Sequence, residues 1–142
     1  MSARLVPMLA GIGLAALILA SSAAAAESAD FAAELLALIN AYRIERGLNR
    51  LAPDQDLRGL AAGHSRAMRR EARLSHDGFA GRFERSGKSL CVENVGWNAP
   101  TPQAQLARWR DSPGHDQNLL EPRLTAAGVA ADGPYVTFFA CR

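Results

Sequence analysis

The sequence predicts an α+β domain, a three-layer α-β-α sandwich around a small, mostly antiparallel central sheet. Two segments in its first half carry apolar residues at helical spacing. A late strand-like run, 135–141, is apolar on both faces, and a strand buried on both faces needs a layer on each side of its sheet. Asp132-Gly133-Pro134 joins it to the run 125–131 as a hairpin-type connection.

The first 26 residues are predicted to be a secretory signal peptide. Arg4 supplies a short positive region, residues 5–20 are apolar, and Ala24-Ala25-Ala26 offers small residues for cleavage before Glu27. The apolar run is too short for a membrane span. We therefore expect a single domain over residues 27–142, secreted or periplasmic, with no transmembrane span in the mature chain.

Two helices are predicted to open the domain. The first covers residues 28–46, with Gly47 placed to end it. Asp54 caps the second, which runs to about residue 73 and carries an apolar stripe of Leu57, Leu60, Ala61 and Met68. His64 falls inside that stripe, so we expect it to face the interior, where a histidine is usually a hydrogen-bonded core residue.

Five arginines lie on or next to the second helix and are interpreted as its solvated face: Arg58, Arg66, Arg69, Arg70 and Arg73. No aromatic residue is interleaved with them, so a nucleic-acid partner is not expected. We expect a monomer whose partner is an unknown small ligand or a component of the cell envelope.

A polar loop, 74–88, follows, in which Phe79 and Phe83 are spaced to form a single helical turn. The next segment, 89–97, is predicted to be a strand with Glu93 at its middle. A carboxylate in the middle of a strand is costly to bury unless it has a partner. A buried salt bridge, a hydrogen bond to a histidine and a ligand role are all open at this point.

The stretch from Asp111 to Leu120 is the most unusual in the chain. A third helix, opened by Thr101 and Pro102, comes before it. Ser112 can then cap a further helical turn. His115 would lie in the first turn, where the positive end of a helix disfavours an imidazolium.

The chain has two cysteines, Cys91 and Cys141, and in an exported protein such a pair usually forms a disulfide. The alternative is two buried free thiols. A bridge would close a loop of about 50 residues and stabilise the fold by roughly 4 kcal/mol in the chain-entropy model.

His64, His76 and His115 are the three histidines, and with Glu93 they form a set with ligand chemistry. Two histidines and a carboxylate can hold a divalent ion with an open coordination position. The chain carries no His-Glu-x-x-His, Cys-x-x-Cys or Gly-x-Ser-x-Gly motif and no phosphate loop. The spacing alone therefore does not choose between a metal site and a hydrogen-bond network.

Five motifs, taken in order, resemble the CAP superfamily, which includes cysteine-rich secretory proteins, antigen 5 and plant pathogenesis-related proteins of group 1. The resemblance extends from about residue 36 to 139 and is nearest to the bacterial, SCP-like extracellular branch. The motifs are His64-Ser65-x-x-Met68, Ser75-His76-x-Gly78, Glu93-Asn94-Val95, Trp109-x-x-Ser112-Pro113-Gly114-His115-x-x-Asn118-Leu119-Leu120 and Gly128-Val129.

The resemblance implies a cleft lined by His76, His115 and Glu93, able to bind zinc in several members. Animal and plant members place a second glutamate where this chain has Ser112, and Asp111, one residue earlier, is the candidate replacement. His64 belongs to the bacterial pattern.

Three functions follow from the resemblance, in order of preference. The first is a module that binds a divalent metal or small ligand at the cell envelope. The second is a hydrolase that uses the same cleft, and the third is a lipid- or sterol-binding protein. The sequence leaves open whether the protein is an enzyme.

Overall fold

The computed structural model describes the backbone from Ile12 and the side chains from Ala20, in both cases to Arg142. Residues 1–11 of the predicted signal peptide lie outside this described part. The helices are α1 Ile12–Glu45, α2 Gln55–Glu71, α3 Phe79–Ser86, α4 Pro102–Arg110 and α5 Pro113–Leu119. The strands are β1 Ala52–Pro53, β2 Cys91–Trp97, β3 Ala126–Asp132 and β4 Tyr135–Cys141.

The four strands form one sheet in the order β1-β3-β4-β2. β1 runs parallel to β3, and the other two pairs are antiparallel. Alternate residues of β4 enter different layers: Phe138 packs with α1 and α4, whereas Phe139 packs with α2. This alternation confirms the predicted α-β-α sandwich and its mostly antiparallel sheet.

Helix α1 begins much earlier than the predicted start at Ser28. It continues back to Ile12 through the predicted cleavage region, because the alanine-rich segment 15–26 consists largely of the strongest helix former. Gly47 follows the helix with φ of 74°, and its amide donates to the carbonyl of Ile44. The predicted end of the helix is confirmed.

Helix α2 is capped as expected, since Asp54 Oδ1 accepts hydrogen bonds from the backbone amides of Asp56 and Leu57. The helix approaches β3 very closely at Gly128. A Cβ added there would lie 2.1 Å from the backbone nitrogen of Arg58 and 2.2 Å from the carbonyl carbon of Leu57. Only glycine lets α2 lie this near the sheet.

Gly128→Ala is therefore expected to destabilise the domain by about 1–3 kcal/mol or more, because two backbone segments would have to separate. Gly63→Ala is the matched control: it lies within α2, with no atom within 4 Å of its added Cβ. This change should stabilise by about 0.5–1 kcal/mol through helix propensity. Urea unfolding of both variants measures the difference, and equal effects would contradict the close-approach argument.

Helix α3 is longer than the single turn predicted for this loop. It fills two turns between Gly78 and Gly87, whose φ angles are 74° and 64°. Phe79 and Phe83 stack with ring centroids 6.5 Å apart, and Phe79 meets Phe139 edge-on at 6.1 Å. These contacts join the helix to the α2 side of the sheet.

Cys91 and Cys141 are directly opposite each other on β2 and β4 and form a disulfide, with Cα atoms 4.2 Å apart. The predicted pairing is confirmed. The bridge ties the edge strand β2 to the central strand β4 at one end of the sheet.

Within residues 12–142, no helix combines the length and the apolar character that crossing a membrane requires.

Candidate functional site

Glu93, at the middle of β2, is the centre of a buried polar network. Its side chain is 1% exposed. Arg82 donates two hydrogen bonds to this carboxylate, from Nε to Oε2 at 2.7 Å and from Nη2 to Oε1 at 2.8 Å. His76 Nδ1 lies 2.9 Å from Oε1. The strand acid thus has both of the partners that the sequence left open, a salt bridge and a histidine.

Arg82 is the residue that sequence reasoning missed. It lies on α3 with its side chain only 6% exposed, and its Nη1 also donates to the carbonyl of Asp77 at 2.8 Å. Among the sixteen basic residues of the chain it has no distinguishing motif. One signal was present: Arg82 follows Phe79 by three positions, which places both on the same face of a helix.

His76 is held at one nitrogen and open at the other. A carboxylate accepts hydrogen bonds, so the Nδ1 that faces Glu93 carries a proton. The Nε2 edge then points away from Glu93, and the side chain is 52% exposed. An imidazole oriented by a carboxylate, with its other nitrogen accessible, is equipped to contact a ligand or to transfer a proton.

His64 lies beneath this pair, in the core face of α2, as predicted. Its Nε2 is 2.7 Å from the carbonyl oxygen of Ser75 and 3.7 Å from Glu93 Oε1. Burial lowers the pKa of His64, against the opposing effects of the Ser75 carbonyl and Glu93. A neutral His64 therefore holds the backbone immediately before His76.

His115 reaches the site from the other side, on α5. Asn94 Nδ2 donates to its backbone oxygen at 3.0 Å, and Asn118 Nδ2 donates to the backbone oxygen of Glu93 at 3.1 Å. Burial, followed by the charge of His76, lowers the pKa of the His115 imidazole. The predicted preference for a neutral ring is matched in direction, but its main cause is burial rather than the helix end.

Helix α5 is supported from below by the last turns of α1. Tyr42 donates from its hydroxyl to Asp116 Oδ1 at 2.8 Å, and Arg43 Nη1 donates to the carbonyl of Leu119 at 2.7 Å. The guanidinium of Arg110 covers the Tyr42 ring at 4.3 Å. A helix of seven residues is too short to be stable alone, so these contacts determine where His115 lies.

Two residues of the Asp111–Leu120 stretch behave differently from the expectation. Asp111 is exposed at the carboxyl end of α4, and within the described part of the chain its side chain does not join the Glu93 network. Ser112 occupies the N-cap position of α5 but makes no capping hydrogen bond through its side chain. Pro113 supplies the helix start instead, because its φ is already helical.

The predicted three-donor metal set of His76, Glu93 and His115 stays a prediction, and the contacts of Glu93 bear on one of its donors. Both Glu93 oxygens already accept bonds from Arg82, and one also accepts from His76. Over the described residues, no three His, Cys, Asp or Glu side chains come together in a way that could hold a metal ion. In this arrangement Glu93 orients His76 instead of offering a free ligand oxygen.

The histidines predict a loss of stability on mild acidification. The pKa values of both His64 and His115 lie below their ordinary value of 6.5. Below pH 6.5 the unfolded chain therefore binds more protons than the folded chain. The stability that the two neutral histidines contribute is fully present above that pH, and it is lost as the pH falls through their pKa values in the folded protein. Urea unfolding between about pH 7.5 and pH 5 measures this. His64→Gln should flatten the dependence, whereas a wild-type stability that is constant over this range would contradict it.

These observations define a class of protein: a helix–sheet–helix sandwich in which a buried Arg–Glu pair orients a half-exposed histidine. The family model for the cysteine-rich secretory protein family (CAP) matches residues 36–141. The chain therefore belongs to the CAP family, as its motifs indicated.

The chain is also similar to individual bacterial proteins. The chain is 31% identical over 111 residues to the uncharacterized membrane protein YlbC of Bacillus subtilis (strain 168), which covers 73% of this chain and 32% of that protein. An extracellular protein containing a SCP domain from Bacillus anthracis str. Ames superposes with a TM-score of 0.77 at 29% identity, covering 81% of this chain and 41% of the other.

A cysteine-rich secretory protein from Staphylococcus aureus subsp. aureus Mu50 superposes with a TM-score of 0.74 at 18% identity, covering 80% of this chain and 38% of the other. At that identity the likeness shows the fold alone. The chain thus spans a third to two fifths of the length of these three proteins.

Proposed function

We propose that this CAP domain is an exported binding module whose cleft takes a small, hydroxyl-rich ligand, such as a sugar unit of the envelope, between His76 and His115. The observation that carries the proposal is the Arg82–Glu93–His76 chain of hydrogen bonds. It fixes the orientation of one imidazole while leaving the Nε2 edge accessible. Export is supported by the predicted signal peptide and by the extracellular SCP-domain relative.

The second imidazole favours a ligand that donates hydrogen bonds. Burial lowers the pKa of His115, so its ring is neutral at physiological pH and carries a lone pair on one nitrogen. Ligand sites combine a few such polar groups with apolar surface. Trp97 supplies that surface: it is 53% exposed and lies on the same face of β2 as Glu93, four residues or roughly 13 Å further along.

A zinc ion is the alternative ligand of the same two histidines. With Glu93 engaged by Arg82, the protein would offer two imidazoles, whereas catalytic zinc sites use three protein ligands. Zinc binding therefore stays a prediction of the family resemblance, and the contacts of Glu93 give it less support than they give a hydrogen-bonded ligand.

Hydrolysis is the second candidate function, because a carboxylate-oriented histidine is a suitable general base. The nucleophile would be a side-chain hydroxyl or a water molecule that the base activates. In the described part of the chain, His76 and His115 have no hydrogen bond to a serine hydroxyl. The binding module is preferred because it needs only the oriented and accessible imidazole of His76. Lipid or sterol binding ranks third, since the groups that converge on the cleft are polar.

Histidine ring NMR on the domain beginning at Glu27 tests the proposal, with diacetylchitobiose and zinc chloride as separate probes. We expect the disaccharide to shift the His76 and His115 signals and the Trp97 fluorescence. His115→Ala should weaken its binding by about tenfold, because one hydrogen bond to the ligand is lost.

Gln117→Ala, on the exposed side of the same helix, is the matched control and should leave the affinity unchanged. Zinc binding that depends on both histidines, with no response to the disaccharide, would replace the proposal with a metal site. Cleavage of the disaccharide by wild type but not by His76→Ala would replace it with the hydrolase.

A further inference from the structure

Helix α2 and the residue pair after it present a long basic surface, here named the arginine face. At 100° and 1.5 Å per residue, the four members that lie on α2 fall within an arc of about 120° and extend over roughly 18 Å, and the fifth follows two residues after the helix end. They are Arg58, Arg66, Arg69, Arg70 and Arg73. All five are exposed, and the arc contains no acidic residue of α2.

Most of this charge is not neutralised within the protein. Arg69 pairs with Asp132, and Arg73 pairs with Asp77 and Glu71. Arg58, Arg66 and Arg70 form no ion pair with any residue in the described part of the chain. An unpaired cluster of like charge raises the local concentration of an oppositely charged partner.

The arginine face borders a groove on the protein surface. Arg58, Arg66 and Arg69 form one wall of a groove of about 710 Å³, whose floor includes Ala130 and Ala131. The opposite wall belongs to α1 and includes Ala24 and Ala25, which precede the predicted cleavage site. Cleavage at the predicted signal-peptide site would remove Ser21, Ala24 and Ala25 from the lining and leave the three arginines in place.

We infer that the arginine face binds a linear, phosphate-bearing polyanion without bases, such as a phosphodiester polymer of the envelope. Guanidinium groups pair with phosphate oxygens through two parallel hydrogen bonds, and roughly 18 Å of helix can contact several phosphates of one chain. The described lining of the groove has no aromatic side chain on which a base could stack, which disfavours single-stranded nucleic acid.

A membrane surface fits this groove less well than a polymer. Helices that lie on membranes insert large apolar side chains beside their basic residues. Here the described residues that accompany the arginines in the groove are alanine, serine, glycine, glutamine and one aspartate. The charge is present, but the apolar anchors are not.

The test is fluorescence anisotropy of end-labelled inorganic polyphosphate titrated with the protein at several salt concentrations. Arg58→Gln/Arg66→Gln removes two unpaired charges from the groove and should weaken binding tenfold or more at low salt. The slope of log affinity against log salt should fall by about one to two, because one or two phosphate contacts are lost.

Arg50→Gln/Arg85→Gln removes the same charge from exposed positions elsewhere and should weaken binding less than threefold. Circular dichroism establishes that both variants are folded. Equal loss in the two double variants, or no binding by wild type at low salt, would overturn the inference. So would tighter binding to single-stranded DNA or to vesicles containing phosphatidylglycerol than to polyphosphate.

Discussion

Arg82→Met is expected to lower the free energy of unfolding by about 3–5 kcal/mol, the usual cost of removing one partner of a buried ion pair. The Glu93 carboxylate is 1% exposed and receives two hydrogen bonds from Arg82. Without the guanidinium it would remain buried with its charge uncompensated, or it would have to become protonated. Urea unfolding at neutral pH measures the loss.

Two further variants make this result specific. Arg85→Met, on the exposed side of the same helix, should change stability by no more than about 0.5 kcal/mol. Adding Glu93→Gln to Arg82→Met should recover part of the loss, since the buried charge is then absent. If Arg82→Met and Arg85→Met lower the free energy of unfolding equally, the Arg82–Glu93 pair does not stabilise the fold as expected.

Removing the Cys91–Cys141 disulfide is expected to cost about 4 kcal/mol in the chain-entropy model. The two residues are 50 positions apart, and the bond closes the chain from the start of β2 to the end of β4. In the double variant Cys91→Ala/Cys141→Ala, the unfolded chain gains freedom that the wild type does not have. Thermal unfolding in the absence of reductant measures the difference.

Reductant provides the control for this prediction. Dithiothreitol should bring the wild type close to the double variant and leave the variant itself unchanged. Wild-type stability that is insensitive to complete reduction would show that the bridge contributes little beyond the β2–β4 pairing.

The sequence predicted the fold because its signals are local and agree with one another. Asp54 caps α2 by accepting hydrogen bonds from amides two and three residues later. The two apolar faces of β4 indicate a layer on each side of the sheet. His64 could be placed in the core by helical spacing alone. Pairing of the cysteines needed no geometry, only their number and the predicted export.

The site was only half predictable, because its central interaction joins distant elements. Nothing near Arg82 in the sequence distinguishes it from the exposed arginines, and the segment around it is polar enough to resemble a loop. Its burial follows from the position of Glu93, eleven residues later on a different element. The exposure of Asp111 likewise depends on how α4 ends against α5, which spacing does not determine.

His76 and His115 lie on different segments of the chain, but both are tied to the middle of β2, at Glu93 and Asn94. His76 is oriented from the α3 side by Glu93 and Arg82, whereas His115 rides on a helix anchored by Tyr42 and Arg43 of α1. Because these contacts meet at two neighbouring residues of one strand, a substitution that displaces the middle of β2 should move both imidazoles together.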